Sequence, residues 1–229
     1  MGPPMPKAPL VSRRAAAPGD GREGVVGTDS AAAAAGAQGH ALGPADATVS
    51  LGCWLDFACP FSKKQFKTLT ESVVPHYSTR PFRLVFHHQV QPWHPQSALL
   101  HEAALAVAKL GGEEEFWKFA AALFANQTDF FDVHTVDLTR KQIYAKLVDL
   151  ACASTAVDRA ALSDLLRIQA GEELNPGSYL VTELKWEVKH GRLLGIHVSP
   201  STTLNGLLFD SSSSWKLEDW QAQLDPFFT

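Results

Sequence analysis

A cysteine followed by proline, at the point where strand-like sequence gives way to helix-like sequence, is a candidate nucleophile, and Cys59-Pro60-Phe61-Ser62 is such a stretch. The run from Val49 to Phe57 delivers Cys59 onto the first turn of a helix. There the thiol faces unpaired backbone N–H groups and the positive end of the helix dipole, both of which favour thiolate over thiol. A thiolate attacks disulfides and electrophiles. In a Cys-x-x-Cys pair the second sulfur resolves the mixed disulfide formed by the first, but here that position holds Ser62, which forms no disulfide. The spacing therefore predicts a monothiol site at Cys59. Ser62, about one turn on, either donates its hydroxyl to the thiolate or is an ordinary first-turn polar residue.

Other residues of chemical interest have plainer readings. Cys53 alternates with core positions and reads as packing. Cys152 falls at the end of a helical segment, and nothing in the sequence places it near Cys59. Asp56 precedes Cys59 by three positions. A carboxylate there opposes thiolate formation unless it accepts the proton, so its simpler role is to anchor backbone at the strand end. His87, His88, His94 and His101 match no metal-ligand spacing, and no metal site is expected from them. Trp93 and His94 either line a groove near Cys59 or pack a helical segment on the sheet.

Two kinds of element must position this chemistry. Val49, Leu51, Cys53, Leu55 and Phe57 alternate with Ser50, Gly52, Trp54 and Asp56, the period of a strand. Lys63 to Tyr77 reads as a helix, and Phe82 to His87 as a second strand after Pro81. Strand, helix, strand of this length implies a right-handed crossover and a parallel pair. From Ser97 to about His190 the pattern turns helical. Ser97 is expected to cap Ala98 to Leu110, which Gly111-Gly112 ends; Glu113 to Ala125 follows. Thr139 and Asp158 are expected to cap two more helices, and Ser178 to His190 is expected to close at Gly191. Strand signals return at Ser201 to Leu204, then the hairpin dipeptide Asn205-Gly206, then Leu207 to Phe209. Trp215 to Leu224 reads as a last helix.

Composition bounds the function classes. The chain has 229 residues, 45% of them hydrophobic, and a formal charge of −4, which gives no footprint for nucleic acid and no run long enough to span a bilayer. Residues 1–38 are rich in Pro, Gly and Ala, including the Ala31–Ala35 run, and read as a low-complexity tail with a faint transit-peptide composition. The ordered domain is expected over residues 39–229. Three cysteines, an odd number, do not read as a disulfide framework, and residues 1–38 contain no apolar segment of the roughly 7–15 residues a secretory signal needs. From these the expectation is an intracellular protein, cytoplasmic or organellar and not secreted.

The order of elements, with a cysteine at the first strand-to-helix junction, resembles the DsbA-like branch of the thioredoxin fold. Leu55-Asp56-Phe57-Ala58-Cys59-Pro60-Phe61 is similar to that family's acidic-aromatic-x-Cys-Pro-aromatic lead into its active helix. His94-Pro95-Gln96-Ser97, Glu115-Phe116-Trp117 and Leu123-Phe124 resemble the start of its helical insertion. Gly195 to Ser201, ending at Asn205-Gly206, resembles its cis-proline loop and hairpin. The resemblance implies an α/β thioredoxin-like fold with a large helical insertion, about 95–190, between βαβ and ββα halves.

It also implies a cis Pro200 and a Ser199 whose backbone holds a substrate chain or glutathione; Pro60, Phe61 and Trp93, by their places beside Cys59 or its expected groove, are taken as further substrate-binding residues. Family members that oxidise or isomerise disulfides carry Cys where this chain has Ser62. The leading expectation is thus a monothiol oxidoreductase acting on disulfides or glutathione mixed disulfides, with glutathione as co-substrate and no tightly bound cofactor. A kappa-like glutathione transferase or isomerase, or a thioredoxin-fold binding module without catalysis, are the alternatives.

Overall fold

The period-two run becomes the central strand of a five-stranded sheet. In the computed structural model, which describes residues 39–228, β1 (His40–Leu42), β2 (Val49–Leu55), β3 (Phe82–His88), β4 (Ser201–Leu204) and β5 (Leu207–Phe209) lie in the order β1-β3-β2-β4-β5. The tail expected over 1–38 lies outside the described residues. β2 and β3 are parallel, in register from Val49 opposite Phe82 to Leu55 opposite His88; the other pairings are antiparallel. β1 was not foreseen as a strand: three residues are too few to show a period.

β2 is buried on both faces, as a central strand must be once helices cover the sheet. Cys53 packs in the core, and burial pushes its thiol well up. On the opposite face Trp54 is fully buried, stacked on His87 at 4.1 Å and edge-on to His190. Gly52 is required by its neighbour strand, since a Cβ there would lie 2.3 Å from Thr203 Oγ1.

α1 (Pro60–Thr68) follows β2 directly and continues through a π-helical turn, Leu69–Val73, into α2 (Val74–His76). It starts three residues before the predicted helix because proline fits the first helical position, where no N–H is needed. Between β3 and β4 stand α3 (Ser97–Ala125), α4 (Asp132–Thr135), α5 (Arg140–Ser154), α6 (Arg159–Leu166) and α7 (Val181–Leu193). α8 (Leu217–Leu224) follows β5 and packs on the π-helical turn, with Trp220 6.5 Å from Phe209 of β5.

Caps decide several boundaries. Thr139 and Asp158 cap α5 and α6 as expected, Thr139 in a reciprocal pair with Gln142. Ser97 does not cap: Gln96 is the residue before α3, and the Ser97 hydroxyl is turned elsewhere. The two helices expected around Gly111-Gly112 follow each other with only Gly112 non-helical between them, at φ 76° and ψ −169°. α7 runs through Gly191 rather than stopping there, because Gly191 packs its bare backbone against Trp54 and Gln89. Asn205 and Gly206 both take positive φ in the hairpin, as predicted.

Candidate functional site

Cys59 is the residue before α1, with φ −85° and ψ 121°, and Pro60 opens the helix. Its thiol donates to the Ser199 carbonyl at 3.5 Å, and the Ser199–Pro200 peptide bond is cis. The structure thus brings together two segments 140 residues apart in sequence. Cys59 itself is only 5% exposed, while Phe61 beside it is 63% exposed and Pro60 is open to solvent. The sulfur lies between the first turn of α1 and the cis-proline loop. Ser199 and Pro200 are half-buried, and the Ser199 hydroxyl has no partner.

Ser62 is fully buried, and its Oγ accepts the Asp56 backbone N–H at 3.2 Å. It therefore helps to tie the first turn of α1 to the end of β2. Trp93 is 59% exposed, with its ring 6.2 Å from His94, whose Nδ1 in turn donates to Asp56.

Asp56 is the hub of the site. Its carboxylate is fully buried and accepts from Ala58 N (2.8 Å), Ser97 Oγ (2.6 Å), Gln91 N (3.0 Å) and His94 Nδ1 (2.9 Å). Burial alone pushes the carboxyl up; the neighbouring His101, then His94 and Ser97, outweigh it and hold it at about 2. Four donors from the turn, the β3–α3 loop and α3 thus converge on one anion. From the far side Gln127 clamps the same turn, its Nε2 donating to the Phe57 carbonyl at 2.7 Å and the Cys59 carbonyl at 2.9 Å. With Asp56 and Gln127 in place, the backbone that presents Cys59 has little freedom to move.

Sequence reasoning kept Asp56 as a backbone anchor, which understates it, and missed Gln127 and Ser97 as parts of the site. A buried carboxylate with only local partners is rarely retained, so Asp56 with a serine and several histidines downstream was a usable signal. Gln127 gave none. Among the described residues no group of three or more His, Cys, Asp or Glu side chains is arranged to hold a metal ion, and all three cysteines are free. No helix among them is long and apolar enough to cross a membrane. A cavity of about 650 Å³ lies in the helical layer, lined by residues such as Leu99, Glu102, Arg140 and Lys185, and Cys59 is not part of it.

No family model and no curated protein matches the chain. Solved structures do. A candidate protein-disulfide isomerase from Pseudomonas syringae is 25% identical, with a TM-score of 0.67 over 82% of this chain and 99% of that one. BdbD from Bacillus subtilis, in its oxidised form, gives 18% and 0.67 over 83% and 93%. MdbA from Actinomyces oris, a thiol-disulfide oxidoreductase, gives 12% and 0.58 over 81% and 84%.

These likenesses correct one expectation. DsbA-like proteins of this kind are extracytoplasmic, which overturns the reading of an intracellular, cytoplasmic or organellar, non-secreted protein. An odd cysteine count bears on whether disulfides hold a fold together, and this fold is held by its apolar core, so the count carried no information about compartment. With TM-scores of 0.67 to two of these structures, the chain shares the α/β thioredoxin-like fold of its DsbA-like neighbours, with a helical layer inserted between β3 and β4.

Proposed function

We propose that the chain is a thiol-disulfide oxidoreductase that acts on disulfide or glutathione mixed-disulfide substrates by a monothiol mechanism through Cys59. The observation that carries the reading is the meeting of Cys59 Sγ with the Ser199 carbonyl, next to the cis peptide bond. The solved neighbours, one of them a thiol-disulfide oxidoreductase, support the general class of activity.

The Cys59 thiolate attacks one sulfur of a substrate R–S–S–R′. A Cys59–S–S–R bond forms, the substrate S–S bond breaks, and R′–S⁻ leaves and takes up a proton. Ser199 and Pro200 align the extended backbone of the R group, and Phe61 and Trp93 cover its side chains. Ser62 offers no sulfur to expel R. An external thiol such as glutathione therefore attacks the mixed disulfide as its thiolate, forms the new disulfide with R, and returns Cys59. Ser62 Oγ accepts from Asp56 N–H, a bond that does not use its own hydroxyl hydrogen.

Ser62→Cys tests the monothiol assignment. The unmodified chain should reduce a glutathionylated peptide only when free glutathione is supplied, whereas the variant should oxidise a dithiol peptide with none added. Full oxidation of the dithiol peptide by the unmodified chain would show that another sulfur resolves Cys59. No turnover by the unmodified chain under either condition would leave a thioredoxin-fold binding module.

A further inference from the structure

Four histidines and two carboxylates form one line through the protein. At one surface Glu113, on α3 just past the Gly112 kink, has a half-exposed side chain, with Oε1 3.0 Å from His40 Nδ1. His40 Nε2 is 3.1 Å from His88 Nε2, and His88 Nδ1 is 2.7 Å from His101 Nδ1. His101 Nε2 then stands 3.4 Å from the Phe57 amide and 3.7 Å from Asp56 Oδ1. Asp56 Oδ2, finally, meets His94 Nδ1, whose side chain is partly exposed.

Each of the three inner rings uses both nitrogens, one as donor and one as acceptor. Read from the Phe57 amide, one consistent set exists: Phe57 N–H to His101 Nε2, His101 Nδ1–H to His88 Nδ1, His88 Nε2–H to His40 Nε2, His40 Nδ1–H to Glu113. The reversed set starts from a proton accepted at His40 Nδ1 and ends with His101 Nε2–H facing Asp56. Two contacts of His101 thus describe two states of the row. The shorter one fits the first set; the reversed set, with His101 Nε2–H toward Asp56, is the one in which His101 holds the carboxyl down, and closing that contact to hydrogen-bond length takes a shift of about 1 Å. Passing from the reversed set to the first moves one proton from Glu113 to Asp56, and the opposite change moves one from Asp56 to Glu113, while each ring only gains a proton on one side and gives one up on the other.

The rings are held for this. Phe116 stacks on His40 at 3.5 Å, Phe57 lies 4.7 Å from His101, and His88 and His101 are fully buried. The other titratable groups facing the row are His87 on β3 and Glu187 on α7, which accepts the His88 backbone N–H.

We infer that Glu113, His40, His88 and His101 form a proton relay between solvent and the Asp56–His94 pair at the Cys59 turn. The relay matters when a bound chain covers Phe61 and Trp93 and shuts solvent away from Cys59. The inference rests on the thiol-exchange reading above. In that reaction Cys59 gives up a proton on becoming a thiolate, and the expelled thiolate takes one up. The Asp56–His94 pair, which holds Ala58 beside Cys59, is the inner end of this exchange, and the row passes the proton between it and solvent at Glu113.

The test uses the full chain with Cys59 loaded as a mixed disulfide with a peptide long enough to cover both aromatic residues. Release by glutathione is followed by stopped flow in H₂O and D₂O for the unmodified chain, Glu113→Gln and His88→Gln. Glutamine keeps hydrogen bonds but cannot gain a proton on one atom and lose it from another. Both variants should release the peptide about 100-fold more slowly, with a larger solvent isotope effect, the low end of what general acid–base transfer contributes. Parent-like rates and isotope effects in Glu113→Gln overturn the relay, as does slowing without a change in isotope effect, which marks a merely structural row. Should His88→Gln fail to fold, Glu113→Gln decides alone, since it changes only the surface end. If the unmodified chain does not load at Cys59 at all, it is the thiol-exchange reading that fails.

Discussion

Cys59→Ala is expected to abolish glutathione-coupled disulfide reduction, a loss on the order of 10³-fold or more, with no change in folding. The size of the effect follows from the site having one usable sulfur. Cys53 is sealed in the core under β2 with its thiol pushed up by burial, and Cys152 sits on α5 in the helical layer. Stability should hardly move, because the Cys59 side chain makes one weak hydrogen bond to Ser199 and caps nothing. A coupled assay with a glutathionylated peptide, read beside a thermal melt, separates the two quantities. Equal rates for the variant and the unmodified chain would remove Cys59 from the chemistry.

Asp56→Ala carries the largest expected cost to stability, about 3–5 kcal/mol, the range for removing one partner of a buried charged network. The substitution leaves Ala58 N–H, Gln91 N–H and the Ser97 hydroxyl without their acceptor inside the protein. Asp56→Asn keeps the shape and one carbonyl oxygen, so it should cost less and serves for the pH measurement.

In the folded chain the Asp56 carboxyl lies at about 2, below its ordinary 3.8. The unfolded chain therefore binds this proton more tightly. The stabilisation from ionised Asp56 is complete above about pH 4 and is lost as the pH falls toward 2, a contribution of about 2 kcal/mol. Urea unfolding at pH 7 and again near pH 2.5 should show the gap between the unmodified chain and Asp56→Asn narrowing in acid. A gap that stays constant or widens would mean that the carboxylate is not held ionised by its donors.

What the sequence made legible was local. The alternation from Val49, the Thr139 and Asp158 caps and the Asn205-Gly206 turn each act over a few residues, so their signals survive without knowledge of the fold. The position of Cys59 was legible for the same reason. The parts that were not legible depend on distant partners. Ser97 has the chemistry of a cap, yet its hydroxyl serves Asp56, 41 residues earlier, because a buried anion binds a donor more strongly than a helix end does. Gln127 clamps carbonyls 68 and 70 residues away. The histidines at 40, 88 and 101 have no common spacing, and only the pairing of β1 with β3 and the packing of α3 on them bring the rings into line.

The account turns on a single reactive sulfur at the head of α1 that needs an outside thiol to complete its work. Intact-mass spectrometry of the full chain after incubation with oxidised glutathione tests this most directly. The predicted result is one glutathione adduct, mapped to Cys59, that persists until free thiol is added. An internal disulfide with no adduct, or a chain left unmodified, would contradict it.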